Sequence, residues 1–170
     1  MKKLVLPALL ALTLAACSST GPETAGTSVE DRGAGVATVT AGGLGGSGIA
    51  ALTDPNNILS KRSVFFDFDS YVIKPEARPL IEAHARFLVQ NPQMRMLVQG
   101  NTDERGSREY NLALGQKRAD VVKQALMLLG AKEAQIESVS LGEEKPRCED
   151  RTEACYGENR RGDMLYSGEF

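Results

Sequence analysis

Tryptophan is absent, histidine occurs once, and the nine aromatic side chains are all phenylalanine or tyrosine. Twenty Lys and Arg against 22 Asp and Glu leave a net charge of −2, which excludes nucleic-acid binding by bulk positive charge. A lone histidine cannot build a histidine-rich metal centre, and His84 falls on the apolar side of a predicted helix, where a satisfied core histidine is expected and a catalytic base is not. No phosphate-cradling glycine loop, metal-ligand cluster or internal repeat is present. The longest nearly unbroken apolar run, Leu4 to Ala16, has thirteen residues, too few for a bilayer-spanning helix, which needs ~20. Aromatics are also missing from the first 64 residues: Phe65, Phe66, Phe68, Tyr71, Phe87, Tyr110, Tyr156, Tyr166 and Phe170 all lie beyond. The hydrophobic core is therefore C-terminal, and with ~150 residues per domain one folded domain is expected.

What is present at the N-terminus is Lys2-Lys3 followed by that apolar run, the pattern of a signal peptide over residues 1–16. Leu14-Ala15-Ala16-Cys17-Ser18 is similar to a bacterial lipobox, which implies cleavage before Cys17 and acylation of that residue. Several acyl chains at ~0.8 kcal/mol per buried CH₂ exceed the one-chain limit for lasting attachment, so Cys17 is the expected lipid anchor. Ser18 after the cysteine resembles lipoproteins sent to the outer membrane, so the expected location is its periplasmic face. Nine of the seventeen glycines and only five charges fall between Ser18 and Ser60. Such a stretch buries too little apolar surface to offset its ordering entropy, and residues 17–60 read as a tether. As a coil, 43 residues would span roughly 36 Å and reach ~140 Å extended.

From Lys61 to Phe170 the hydrophobic period changes in a regular order. Ser63 to Phe68 reads as a strand with Phe66 and Phe68 on one side. Pro75 suits a first helical turn, and Ala77, Leu80, Ile81, His84, Phe87 and Leu88 recur at helical spacing until Asn91-Pro92. Met94 to Val98 is a second strand. Ser107 is a natural N-cap for a long helix to Leu129, closed by Gly130. Its apolar residues form two stripes, one with Leu112, Ala119, Val122, Leu126 and Leu129, the other with Leu114, Val121, Ala125 and Leu128, so coverage on both faces is expected. Ile136 to Leu141 and Gly162 to Tyr166 complete a β-α-β-α-β-β order, an α/β (α+β) two-layer sandwich with a mixed four-stranded sheet. Cys148 and Cys155 stand in a polar loop before the last strand. Outside the cytoplasm such a pair reads as a disulfide, since its spacing is not CxxC and no histidine lies nearby.

A polar stripe interrupts the long helix. Asn111, Gly115 and Arg118 share one face that overlaps the apolar stripe. An arginine directed at a core edge needs an anionic partner, because a buried unpaired charge costs several kcal/mol. Two readings stay open on spacing alone. Arg118 and Asp103 form a structural bridge, or together they receive a ligand carrying both a carboxylate and an ammonium.

The run from Gly100 to Ala119, GNTDERGSREYNLALGQKRA, resembles the signature of OmpA-like domains, in particular the peptidoglycan-associated lipoproteins of Gram-negative bacteria. Val64 to Asp69, Leu141 to Pro146 and Asn159-Arg160-Arg161 match further blocks in order, over about residues 58–166. The resemblance implies an OmpA-like sandwich with helices on one face. It also implies noncovalent binding of peptidoglycan through meso-diaminopimelate, with Asp103 and Arg118 holding that residue. Asn111, Phe68, Asp69, Thr102, Arg160 and Arg161 contribute to the pocket, and strand alternation leaves open which of the two arginines faces it. Partners implied are TolB and the Tol complex, TolA included, and the outer membrane, with a part in constriction at division. No cofactor, metal or catalytic residue is implied. A protein-interaction module with weak wall binding is the alternative; a peptidoglycan hydrolase using Asp67, Asp69, Asp103 or Glu104 is disfavoured, because nothing surrounds these carboxylates with the apolar shell that raises a pKa. The sequence departs from many relatives at Asn101, in the cysteine-bearing segment Arg147 to Glu158, and in the tail after Tyr166.

Overall fold

The computed structural model describes residues 47–170; the expected signal peptide, the expected anchor at Cys17 and the expected tether as far as residue 46 lie outside the described residues. A short helix α1 (Ser47–Thr53) and a 3₁₀ turn at Ile58–Ser60 precede strand β1 (Ser63–Phe65). Then follow α2 (Arg78–Gln90), β2 (Met96–Asn101), α3 (Arg108–Leu128), β3 (Ile136–Gly142), α4 (Glu153–Asn159) and β4 (Arg161–Tyr166). The four strands form one sheet in the order β1-β4-β2-β3. β2 and β3 run parallel, with α3 as the crossover between them, while β4 is antiparallel to both β1 and β2. The sheet is mixed, as expected.

One sheet face meets the helices. Val64, Met96, Val98, Ile136, Met164 and Tyr166 interlock with Ile81, Ala85 and Leu88 of α2 and with Ala119, Val122 and Leu126 of α3. The single histidine belongs to this layer: His84 is fully buried, its Nε2–H donates to the Lys61 carbonyl at 2.8 Å and its Nδ1 accepts from the Tyr166 hydroxyl at 2.8 Å. Burial holds its pKa down at about 4. The opposite face of β4 is polar, with Arg161 donating to Asp163 at 2.8 Å and Arg147 closing on Asp163 at 3.0 Å.

Several expected boundaries move. The packed body starts before Lys61: Leu52 is 6% exposed within the core, and Arg62 donates to its carbonyl at 3.0 Å, so residues expected in the tether are fixed by apolar burial. β1 ends at Phe65, three residues early, and the chain then turns, with a positive φ of 52° at Asp69. Phe66 stays buried but Phe68 does not share its side and is 57% exposed. β2 begins two residues late and runs on into Gly100 and Asn101, its parallel register with β3 shifting by one residue between those two. A 3₁₀ turn at Pro75–Ala77 precedes α2, so Pro79 falls in that helix's first turn, where it is tolerated. Ser107 caps α3, its Oγ accepting from the Tyr110 N–H at 3.2 Å. Only one face of α3 is covered: Leu112 and Leu129 are exposed and Leu128 is 89% exposed. The loop expected between residues 147 and 158 contains α4, capped by Thr152 and tied by a Cys148–Cys155 disulfide with a Cα separation of 5.3 Å.

Candidate ligand-binding site

The site forms where α3 lies closest to the sheet. A Cβ on Gly100 of β2 would collide with the Gly115 carbonyl, and one on Gly115 would lie 2.9 Å from the Gly100 oxygen. Two glycines therefore let helix and strand backbones touch, and the polar stripe of α3 drops to the level of the strand ends. The close approach that Gly115 allows is taken up by β2. One helical turn on, Arg118 is driven into the interior.

Arg118 is fully buried, and among the described residues it makes no ion pair. Its Nε donates to the Ser70 carbonyl at 2.8 Å, Nη1 to Asn101 at 2.9 Å and Nη2 to Asp67 at 3.1 Å, and its guanidinium lies 5.3 Å from the Phe66 ring centroid. These carbonyls come from the turn after β1 and the end of β2, so the arginine ties both segments to α3. Burial lowers its pKa to about 10, opposed by the nearby Asp103 charge, and it remains cationic at neutral pH. Three of the five N–H groups of a guanidinium are used. The direct bridge to Asp103 is absent.

Asp103 is instead held by other arginines. Its Oδ2 accepts from Arg105 at 2.7 Å and from Arg160 at 3.1 Å, while its Oδ1 accepts the Arg105 backbone N–H at 3.1 Å in an Asx turn. Burial pushes the carboxyl up, but these hydrogen bonds outweigh it and hold its pKa below the usual value. Glu153, the first residue of α4, receives Arg160 at 2.7 Å and Arg105 at 3.3 Å. Asp103, Arg105, Glu153 and Arg160 thus close a ring of alternating charge.

A cavity of about 190 Å³ opens at this ring. Phe68, Asp69, Thr102, Asp103, Asn111, Arg118 and Arg160 all line it, which brings together every expected pocket residue except Arg161. Arg161 is the correction: it begins β4, where neighbours alternate in direction, and it turns to Asp163 and the Lys145 carbonyl. Asn111 is buried and bonds the Asp103 carbonyl at 3.2 Å and the Glu143 carboxylate. Asp69 accepts from the Tyr110 hydroxyl, which raises the Tyr110 pKa. Arg105, Gly106, Tyr110 and Leu114 line the cavity too and were not anticipated. The signal for Arg105 was the Asp-x-Arg spacing in a turn; for Tyr110 it was its place in the first turn of α3, which overhangs that turn. In all, three guanidinium groups meet two carboxylates in the wall, and the excess positive charge is the buried Arg118.

The OmpA family profile matches residues 65–160. The chain belongs to the OmpA family. Within it, this OmpA-family protein falls among the peptidoglycan-associated lipoproteins. It is 40% identical to the peptidoglycan-associated lipoprotein of Haemophilus influenzae over 90% of each chain. It is 48% identical to that of Pasteurella multocida over 61% of this chain and 69% of the relative. The crystal structure of the peptidoglycan-associated lipoprotein from Burkholderia pseudomallei superposes with a TM-score of 0.68 at 55% identity, covering 69% of this chain and 99% of that one. The C-terminal domain of Helicobacter pylori MotB shares the fold, with a TM-score of 0.58 at 22% identity over 63% of this chain and 84% of that one. Among the described residues no helix of this OmpA-family chain is long and apolar enough to cross a membrane.

Proposed function

We propose that the protein is an outer-membrane lipoprotein, anchored at Cys17, that binds peptidoglycan noncovalently by enclosing the meso-diaminopimelate of the stem peptide in the cavity around Arg118. The supporting observation is a buried guanidinium without a carboxylate partner on the wall of a cavity that also holds Asp103 and Asp69. Arg118 takes the ligand carboxylate with its spare N–H groups, and Asp103, ionised by its arginine neighbours, takes the ammonium. The role is read as binding: a carboxyl held below its ordinary pKa by hydrogen bonds is unsuited to act as a general acid. Membership among the peptidoglycan-associated lipoproteins supports the wider reading, in which TolB and the Tol complex couple the wall-bound protein to inner-membrane energy during constriction.

The test is cosedimentation of the non-lipidated chain from Ser18 with purified sacculi, with the diaminopimelate stem peptide as competitor. Pull-down reversed by the peptide is expected. Arg118→Ala and Asp103→Asn should each weaken it by about 2 to 5 kcal/mol, the cost of leaving one buried charge of the bound pair unmatched. Wild-type retention in both variants would defeat the assignment.

A further inference from the structure

Two polar groups of residues lining the cavity are buried and lack a hydrogen-bond partner among the described residues: the Thr102 hydroxyl, in a residue 3% exposed, and the Arg105 Nε–H. Buried donors are nearly always satisfied, and those that are not call for a ligand or water to complete them. Arg105 is otherwise tightly placed. Its guanidinium lies 4.1 Å from the Phe68 ring centroid and 4.4 Å from that of Tyr156, and its two terminal nitrogens pair with Asp103 and Glu153. Phe68 and Asp103 belong to the cavity, but Tyr156 and Glu153 both come from α4, the helix clipped by the Cys148–Cys155 disulfide. Tyr156 is itself held, its hydroxyl donating to Glu104 at 3.0 Å. Arg105 sits on a turn, so without α4 it has partners on one side only. Unlike Arg118 it is partly exposed, its side chain 35% accessible.

We propose that Arg105 is a second anion-reading residue of this cavity: its free Nε–H takes a carboxylate oxygen of the ligand other than the one Arg118 takes, and the disulfide-clipped α4 fixes it for that role. This rests on the reading of the cavity as a stem-peptide site, and a stem peptide carries carboxylates besides the one on the diaminopimelate side-chain end. Arg105 then sets specificity between free and amidated peptides, because a built donor rejects a ligand that lacks its acceptor or its charge.

The experiment is calorimetric titration of the non-lipidated chain with two stem peptides. Both contain diaminopimelate with its side-chain carboxylate free, and they differ in whether the remaining carboxylates are free or amidated. Wild type should prefer the free acid by about tenfold, the scale of one charge-assisted contact. Arg105→Gln, shown folded by circular dichroism, should erase that preference by losing more affinity for the free acid than for the amidated peptide, and Arg105→Lys should restore part of it. Cys148→Ser/Cys155→Ser should reduce the preference. Equal binding of the two peptides by wild type would overturn the proposal and leave the diaminopimelate reading standing. So would a wild-type preference persisting in Arg105→Gln, an equal loss for both peptides, or tighter binding, which would make Arg105 a plug over Asp103. Retention of the preference in the double cysteine variant would overturn the part assigned to α4. Failure of wild type to bind either peptide would defeat the diaminopimelate reading itself.

Discussion

Arg118 and His84 are both fully buried ionisable residues, and they solve burial in opposite ways. Arginine cannot be neutralised at any ordinary pH, so the fold surrounds it with three backbone carbonyls; histidine simply stays neutral, with one ring nitrogen donating and the other accepting. The histidine therefore makes stability depend on pH. Its folded pKa, about 4, lies below the 6.5 of the free side chain, so protonation favours the unfolded chain. Its contribution is intact above pH 6.5 and is lost as the pH falls towards 4, a change of about 3 kcal/mol when complete. Asp103, also depressed, acts in the same direction at lower pH. Urea midpoints measured at pH 7 and pH 4.5 should show the loss, and His84→Gln should flatten it. At this scale the sequence disclosed that Arg118 and Asp103 share a site, since their spacing across a turn and a helix is fixed. It did not disclose that they are not bonded, because carbonyl partners from the turn after β1 leave no trace in residue type.

Among the elements, the contact of α3 with β2 depends on having no side chain at two facing positions. Gly100→Ala pushes a methyl into the Gly115 backbone, which has no rotamer to yield. It should cost about 1 to 3 kcal/mol, the range for overpacking, read as a lower urea midpoint with an unchanged slope. α4 depends on a covalent clip. Its seven residues are below the length of helices that hold without tertiary support. Reducing the disulfide, which closes an eight-residue loop including both cysteines, should lower stability by roughly 2.5 kcal/mol on the chain-entropy scale, measured by thermal melts with and without reductant. Cap and glycine signals placed both ends of α3 nearly to the residue, since these are local chemistry. Its two apolar stripes were indistinguishable by period, and only the position of the sheet decided that Ala119, Val122 and Leu126 of one and Leu114 of the other are covered while Leu112, Leu128 and Leu129 face outward.

For the whole molecule, the packed body extends to α1. Leu52 adds apolar area to the core, and Arg62 ties α1 to the sheet edge through the Leu52 carbonyl and reaches Glu169 at 3.0 Å beyond β4. A fragment starting at Ser47 should be more stable than one starting at Lys61 by about 2 kcal/mol, the scale of one buried leucine, visible as a higher melting temperature. The boundary expected at Ser60 followed the first aromatic residues, whereas glycine already stops at Gly48 and burial begins at a single leucine, Leu52.

The sequence by itself determined the β-α-β-α-β backbone of the domain, the cap and stop of α3, the cysteine pairing and the polar stripe that marks the site, because each follows from local periodicity, capping chemistry or spacing within one element. Tertiary structure alone decided what Arg118 bonds to, that Arg160 lines the cavity and Arg161 does not, and that α4 brings Glu153 and Tyr156 onto Arg105. These outcomes depend on how segments far apart in the chain meet, and the Gly100–Gly115 contact, which allows α3 to settle on the sheet, fixes the depth at which they do so.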